Sequence, residues 1–357
     1  MNQDWAEKNR TMQAKLKNEA DFREGLDLLL DLRADLFQVI TSFVNTLPEE
    51  AFYRMPFPNA RGYHSKTLAY SMWHIFRIED IALNTLIKND EQILFSENRK
   101  EKIRSPIITT GNELAGEAIV SFSKQLSVKP LYEYCMHVKD SGDAFIKSLE
   151  YRDLKRTFTE EDRKRLIESH CVSEEEAAFF LIDYWCGKDL AGLLRMPFSR
   201  HWIMHVEAMD RIKNRLCMQA RKGVDPVAYC GLFCSHCFLK DRCGFCRTAY
   251  NTCSNAACSP DKICPNVKCA QKKELDGCYA CPSLDHCTIG FYGNGKDGNA
   301  VKALAKFIRA YGKQSLNAVL ECLRETYDFQ KIQEILGYDT EEGLRILEKH
   351  HMHESRK

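Results

Sequence analysis

The residues best suited to chemistry are cysteines gathered in one part of the chain. Twelve of the seventeen cysteines fall between Cys230 and Cys287. Three of their pairs have Cys-x2-Cys spacing, which lets two thiolates bind one tetrahedral metal ion. The predicted metal ligands of this segment are Cys230, Cys234, Cys237, Cys243, Cys246, Cys253, Cys258, Cys264, Cys269, Cys278, Cys281 and Cys287.

The cysteine pattern indicates a metal without naming it. Twelve thiolates would fill three four-coordinate zinc sites, so we expect structural zinc, although His236 or His286 could replace a cysteine. Iron–sulfur ligation of the same cysteines is the alternative. The Cys-x3-Cys-x2-Cys spacing that starts at Cys230 also occurs in radical enzymes that use S-adenosylmethionine. The sequence after it is too short for the barrel those enzymes need.

Three histidines form a second candidate site. His201 and His205 are four residues apart on a predicted helix, so both imidazoles face the same way. His74, in the middle of an apolar predicted helix, is the natural third ligand. Three such groups could bind zinc, nickel or iron and leave coordination positions open. Ordinary hydrogen-bonded histidines are the alternative, and no general base stands out.

Predicted helices carry these histidines. Apolar residues recur at three- and four-residue steps over four long segments in about the first 220 residues. These predicted helices cover about 22–45, 65–89, 130–149 and 199–217. Four long helices with long crossings between them are typical of an antiparallel bundle. Gly223 and Pro226 then mark a boundary, so we predict domains at 1–220 and 221–357.

Two motifs of the first domain resemble a known superfamily. They are Trp73-His74-Ile-Phe-Arg-Ile-Glu-Asp and Pro197-Phe-Ser-Arg-His201-Trp-Ile-Met-His205. Residues from about 20 to 218 are similar to the DinB-like four-helix metalloproteins, which include thiol-dependent transferases. The resemblance implies that His74, His201 and His205 bind a divalent metal that activates water or a thiol.

A second resemblance covers about 227–325. The run Tyr229-Cys-Gly-Leu-x-Cys-x2-Cys, followed by the later cysteine pairs, is similar to a family of small Cys-rich domains of unknown function. It implies zinc-ribbon-like metal binding and no particular activity. The expected fold class is therefore mainly α, with a DinB-like four-helix bundle, then a zinc-ribbon-like module, then C-terminal helices.

Composition limits the partners and the location. The net charge is +1, from 51 basic and 50 acidic residues, which does not indicate nucleic acid or an anionic membrane. Thiolate-bound zinc would make the Cys-rich segment acidic, a poor surface for phosphates. No apolar run approaches the roughly 18 residues of a membrane span, and the N-terminus is polar. We expect a cytoplasmic protein, where clustered cysteines more often bind metal than form disulfides.

Two functional hypotheses follow from these patterns. The first is a metal-dependent transferase or hydrolase, in which the histidine site acts on a small molecule or a low-molecular-weight thiol. The second is a non-enzymatic metal-binding or sensing protein whose Cys-rich module is the working part. A homodimer is compatible with either hypothesis.

Overall fold

The computed structural model of the chain describes residues 2–354 and is mainly helical, as the sequence predicts. The chain divides into two compact units. The first contains the residues up to Val44 and Glu49–Lys213, and the second contains Asn45–Pro48 and the residues from Asn214 onward. Within residues 2–354, no helix is long and apolar enough to cross a membrane.

The first unit is built from helices of very different lengths. Its helices are α1 Gln3–Lys15, α2 Phe22–Thr46, α3 Leu68–Asp80, α4 Arg99–Ile103, α5 Glu117–Gln125, α6 Val128–Ser148, α7 Glu160–Glu168, α8 Glu176–Cys186, α9 Leu190–Arg195 and α10 His201–Ala220. Of α2 the residues up to Val44 belong to this unit, and of α10 those up to Lys213. Two π-helical segments extend this set: Ile81–Lys88 continues α3, and Met196–Arg200 leads into α10.

Helix α2 shows why these segments fold as they do. Its buried residues, such as Leu26, Leu29, Leu36 and Ile40, recur at helical spacing and form one apolar stripe. Leu26 and Leu29 of this stripe pack in a core that also contains residues of α3 and its π-helical extension. Burial of this stripe, rather than intrinsic helix propensity, therefore holds α2 in place.

A buried arginine links the long helices of the first unit. Arg33 on α2 donates to both carboxylate oxygens of Glu79 on α3, at 2.9 and 2.7 Å. It also bonds Asp143 on α6 at 2.6 Å and the carbonyl of Phe198, ahead of α10, at 3.1 Å. The side chains of Arg33 and Glu79 are fully buried, and breaking such a pair is strongly destabilising.

The second unit combines an irregular Cys-rich segment with three C-terminal helices. Its further helices are α11 Ser254–Ala257, α12 Pro265–Lys272, α13 Gly295–Thr326, α14 Phe329–Leu336 and α15 Thr340–Glu354. Helix α13 bends at Gly312, whose φ of +83° favours glycine. Cys230 and Cys278 share one core with residues of α13, α14 and α15, so the Cys-rich segment is packed against helices.

Regular β-structure is almost absent from the described part of this segment. A single bridge joins Val227 and Phe233, and short turns connect the rest. Arg309 of α13 donates to the carbonyl of Tyr279 at 3.0 Å, and Lys313 bonds Asp225 and Asp276. The zinc-ribbon-like character of this segment stays a prediction.

Replacing Gly142 on α6 by alanine tests the buried ion pair. A Cβ there would collide with Glu79 Oε1 and lie 2.8 Å from Arg33 Nη2. Alanine favours helix by about 1 kcal/mol, but disruption of the buried pair costs about 3–5 kcal/mol. We expect Gly142→Ala to lower the free energy of unfolding by about 2–4 kcal/mol in urea titrations.

The matched control is Ser141→Ala, one residue earlier on the same helix, which should stay close to wild type. All four tryptophans lie in the first unit, so tryptophan fluorescence follows the unfolding of that unit. A Gly142→Ala protein as stable as wild type would show that the ion pair tolerates a methyl group.

Candidate metal centre

Helices α3 and α10 bring the three predicted histidines together. One ring nitrogen from each of His74, His201 and His205 lies within 4.8 Å of the other two. The ring centroids of His201 and His205 are 4.6 Å apart, as expected for residues one helical turn apart. All three side chains are buried. The group therefore forms a closely spaced set of nitrogen donors inside the first unit.

A backbone carbonyl sets the orientation of His74. Its Nδ1 lies 2.8 Å from the carbonyl oxygen of Thr110. Because a carbonyl can only accept, Nδ1 carries the proton and the lone pair is on Nε2. That Nε2 lies 3.2 Å from Nε2 of His201. A metal-binding histidine is commonly fixed by such a bond from its other ring nitrogen.

The other two histidines have ring nitrogens without protein partners. Among the described residues, nothing bonds Nδ1 of His201 or either ring nitrogen of His205, and all three atoms are buried. A buried polar atom without a partner costs about 1–3 kcal/mol. Three such atoms beside one anchored histidine fit a site whose missing partner is a metal ion.

The histidines are held in the neutral form that metal binding requires. Burial lowers the pKa of His74 to about 4. Burial and the neighbouring His74 hold the pKa of His201 well below its usual value. Burial, then His201 and His74, do the same to the pKa of His205. Protons therefore do not compete with a metal for these nitrogens near pH 7.

The segment from Ile108 to Gly111 anchors one face of the buried helix α3 through backbone carbonyls. Arg77 bonds the carbonyl of Ile108, and Trp73 Nε1 bonds that of Thr109 at 3.0 Å. Tyr70 bonds the carbonyl of Gly111 at 2.9 Å, and its ring stacks on His74. These donors lie at three- and four-residue steps, so they share the helix face that carries His74.

A π-helical turn sets the start of α10. The predicted helix begins at about Ser199, but Ser199 lies inside the π-helical turn and donates to the carbonyl of Leu194 at 2.8 Å. π-Helical turns of this kind are often found at functional sites. Here the turn immediately precedes His201.

The carboxylates that follow His74 have structural roles. Glu79 pairs with Arg33, and Asp80 accepts bonds from Arg77, Tyr134 and the backbone of Leu94. Both carboxylates are fully buried in these contacts. They are therefore committed to the fold and are not available as general bases.

The predicted cysteine ligands line two cavities of the second unit. One cavity, of about 40 Å³, is bordered by cysteines from the first part of the segment. These are Cys230, Cys234, Cys237, Cys243, Cys246, Cys253 and Cys264. The other cavity, of about 270 Å³, is bordered by Cys269, Cys278, Cys281 and Cys287. Cys258 is exposed.

The described cysteine sulfurs are not as closely spaced as the histidine ring nitrogens. None of the described cysteines forms a disulfide, and no trio of them within residues 2–354 matches the spacing of the histidine group. Burial raises the pKa of Cys230 well above its usual value and that of Cys278 to about 11. These thiols hold their protons at neutral pH, so metal binding would release them. The soft donors fit zinc or iron.

Sequence patterns miss several contributors to the histidine site. The carbonyls of Ile108, Thr109 and Thr110 act through the backbone, which has no side-chain signature. Tyr63 packs its ring edge on His205, at a centroid distance of 4.7 Å, from an irregular segment. Helical spacing does predict the contact between Tyr70 and His74, because Tyr70 lies one turn before His74 on the same helix.

The lowered histidine pKa values predict how the stability of metal-free protein depends on pH. Unfolded histidine has a pKa of about 6.5, so the unfolded chain binds protons that the folded site excludes. The free energy of unfolding should therefore fall as the pH drops from 7.5 to 5.5, by up to about 1.4 kcal/mol per histidine per pH unit. Urea titrations of chelator-treated protein, followed by tryptophan fluorescence, measure this slope.

The control for this slope is the triple variant with His74, His201 and His205 all replaced by glutamine. It lacks the three titrating groups, so its stability should vary less with pH over the same range. Equal slopes for the two proteins would contradict the burial of neutral histidines.

Comparisons with known proteins found no match, so the proposals for this site rest on its geometry. No protein-family model, no curated protein and no solved structure matches this chain. The three-histidine group and the seventeen cysteines could bind metal, and the side chains around them are the basis for any statement about function.

Proposed function

We propose that His74, His201 and His205 hold a divalent zinc, nickel or iron ion and that the protein is a metal-dependent transferase or hydrolase. The observation that carries this proposal is the set of buried ring nitrogens on His201 and His205, beside an anchored His74, that have no partner within residues 2–354. An ordinary structural histidine would satisfy those nitrogens with hydrogen bonds.

The donor set favours a reactive rather than a purely structural metal. Three protein ligands leave at least one coordination position open, whereas structural zinc usually has four. A metal held there would acidify a bound water or thiol. The chain contributes neutral donors, a fixed His74 tautomer and a buried position for all three ligands.

The resemblance to DinB-like metalloproteins supports the same proposal. In that superfamily one histidine comes from the second long helix and a His-x3-His pair comes from the last. Here His74 is on α3 and the pair is on α10. We therefore infer a DinB-like arrangement of the long helices, with a small molecule or a low-molecular-weight thiol as the substrate.

Removing one histidine should remove one metal ion. We expect His201→Ala or His205→Ala to lower the bound metal by one equivalent per chain, because two imidazoles hold a divalent ion much less tightly than three. Mass-spectrometric metal analysis of purified protein measures this loss. The exposed His137→Ala is the matched control and should keep the full metal content. Unchanged metal in the His205→Ala protein would contradict the proposal.

The Cys-rich segment supports the second candidate function, a metal-binding or sensing module. We propose zinc as its metal, with Cys269, Cys278, Cys281 and Cys287 forming one site because they border the same cavity. Lys273 Nζ lies 3.5 Å from Cys281 Sγ, which places a positive charge beside thiolates. The remaining cysteines of the segment would supply the other sites.

Replacing Cys281 by serine tests this grouping. The variant should lose one zinc ion per chain while the histidine site keeps its metal, because the two sites use different ligands. Cys322→Ser, on α13 and outside both cavities, is the control and should lose none. A brown protein with visible absorption would instead favour iron–sulfur ligation. Loss of every metal ion at once would contradict a separate four-cysteine site.

A further inference from the structure

Among residues 2–354, a lysine beside the histidine site has no acidic partner. Lys66 immediately precedes Thr67, whose side chain accepts a bond from the backbone of Tyr70 at the start of α3. Its Nζ lies 4.7 Å from the centroid of the Tyr70 ring. That ring stacks on His74 with centroids 5.5 Å apart and planes 10° apart. The lysine therefore belongs to the aromatic layer that covers one of the histidines.

Lys66 differs in this respect from Arg33 and Arg77, the fully buried cations of this unit, which have counter-ions. Arg33 is neutralised by Glu79, and Arg77 by Asp80. In the part of the chain that the structure describes, no carboxylate pairs with Lys66, which is only partly exposed. Glu113, whose charge acts on Tyr70, accepts a hydrogen bond from the hydroxyl of Thr109. Partial burial of an unpaired ammonium is costly, and burial lowers the pKa of Lys66.

The charge of Lys66 lies close to the histidine site. Its Nζ and the His74 ring both pack against the Tyr70 ring, at 4.7 and 5.5 Å from the centroid of that ring. The three imidazoles are neutral, so they offset none of the charge of a divalent ion. With a metal bound, the site would contain two positive charges from the ion and a third from Lys66, against one negative charge from Glu113 near Tyr70. An anion is the ligand that balances this excess.

We propose that Lys66 selects anionic ligands at the histidine site, so that its substrate binds as a small thiolate or carboxylate. This inference rests on the proposed metal function of His74, His201 and His205. The anionic atom would take an open metal position, and Lys66 would stabilise the negative charge from the Tyr70 side. Lys66 acts here as a specificity-determining residue, through charge rather than through proton transfer.

Ligand titrations of cobalt-loaded protein test the proposal. The full chain is treated with a chelator and loaded with Co²⁺, and its visible spectrum is followed as azide or imidazole is added. Azide is an anionic metal ligand, and imidazole is a neutral one. We expect Lys66→Met to weaken azide binding by about tenfold and to leave imidazole binding unchanged, because only azide has a charge to lose.

Two further lysine variants separate charge from shape. Lys66→Arg keeps the positive charge and should keep azide affinity close to wild type. The exposed Lys147→Met, on α6, removes a charge elsewhere and should also bind azide normally. Equal azide affinity in the wild-type and Lys66→Met proteins, with imidazole still binding, would overturn the role of Lys66 alone.

The His205→Ala variant separates this failure from that of the metal proposal. The spectral responses to azide and imidazole should both disappear in His205→Ala, because each ligand binds the metal of the histidine site. Responses that persist in His205→Ala would overturn the proposed metal site, and the role of Lys66 with it.

Discussion

The buried contact between Arg33 and Glu79 is the constraint on which the first unit depends. It joins α2 to α3, and the same guanidinium reaches Asp143 on α6 and the carbonyl of Phe198. Glu79 lies five residues after His74, and Phe198 lies three residues before His201. One arginine thus fixes the two helices that carry the candidate ligands. Because burying the charges costs energy, we infer that the pair specifies a unique arrangement of helices rather than adding net stability.

Backbone carbonyls provide the second constraint on the site. The segment from Ile108 to Gly111 accepts bonds from Arg77, Trp73, His74 and Tyr70 along one face of α3. The bond to His74 also decides which of its nitrogens faces the other histidines. Support of this kind keeps a site in position when a ligand binds or leaves, and it explains why an irregular segment packs against a buried helix.

The sequence predicts those features that depend on side-chain spacing. The apolar stripe of α2 and the shared face of His201 and His205 both follow from helical periodicity. The structure brings His74 to that pair across two helices, which spacing alone could suggest but not require. Glu79 and Asp80 follow His74 in the same sequence motif. Their structural role becomes visible only from their burial beside Arg33 and Arg77.

Other features depend on contacts that no local pattern records. The π-helical turn before α10 and the carbonyls beside α3 are features of the backbone, so side-chain patterns do not predict them. The division of cysteines between two cavities depends on how distant turns pack, so the Cys-x2-Cys spacing cannot reveal it. Lys66 is one lysine among many in the sequence, and its significance comes from the missing counter-ion among the described residues and its position on Tyr70.

The most direct test of the central claim is the ¹¹³Cd nuclear magnetic resonance spectrum of cadmium-loaded protein. The chemical shift of ¹¹³Cd separates nitrogen and oxygen ligands from thiolates, so one spectrum reports on both candidate sites. We predict one resonance in the nitrogen–oxygen range, which disappears in the His205→Ala protein. Separate thiolate resonances should persist in that variant. A spectrum with thiolate resonances alone would contradict a metal site at His74, His201 and His205.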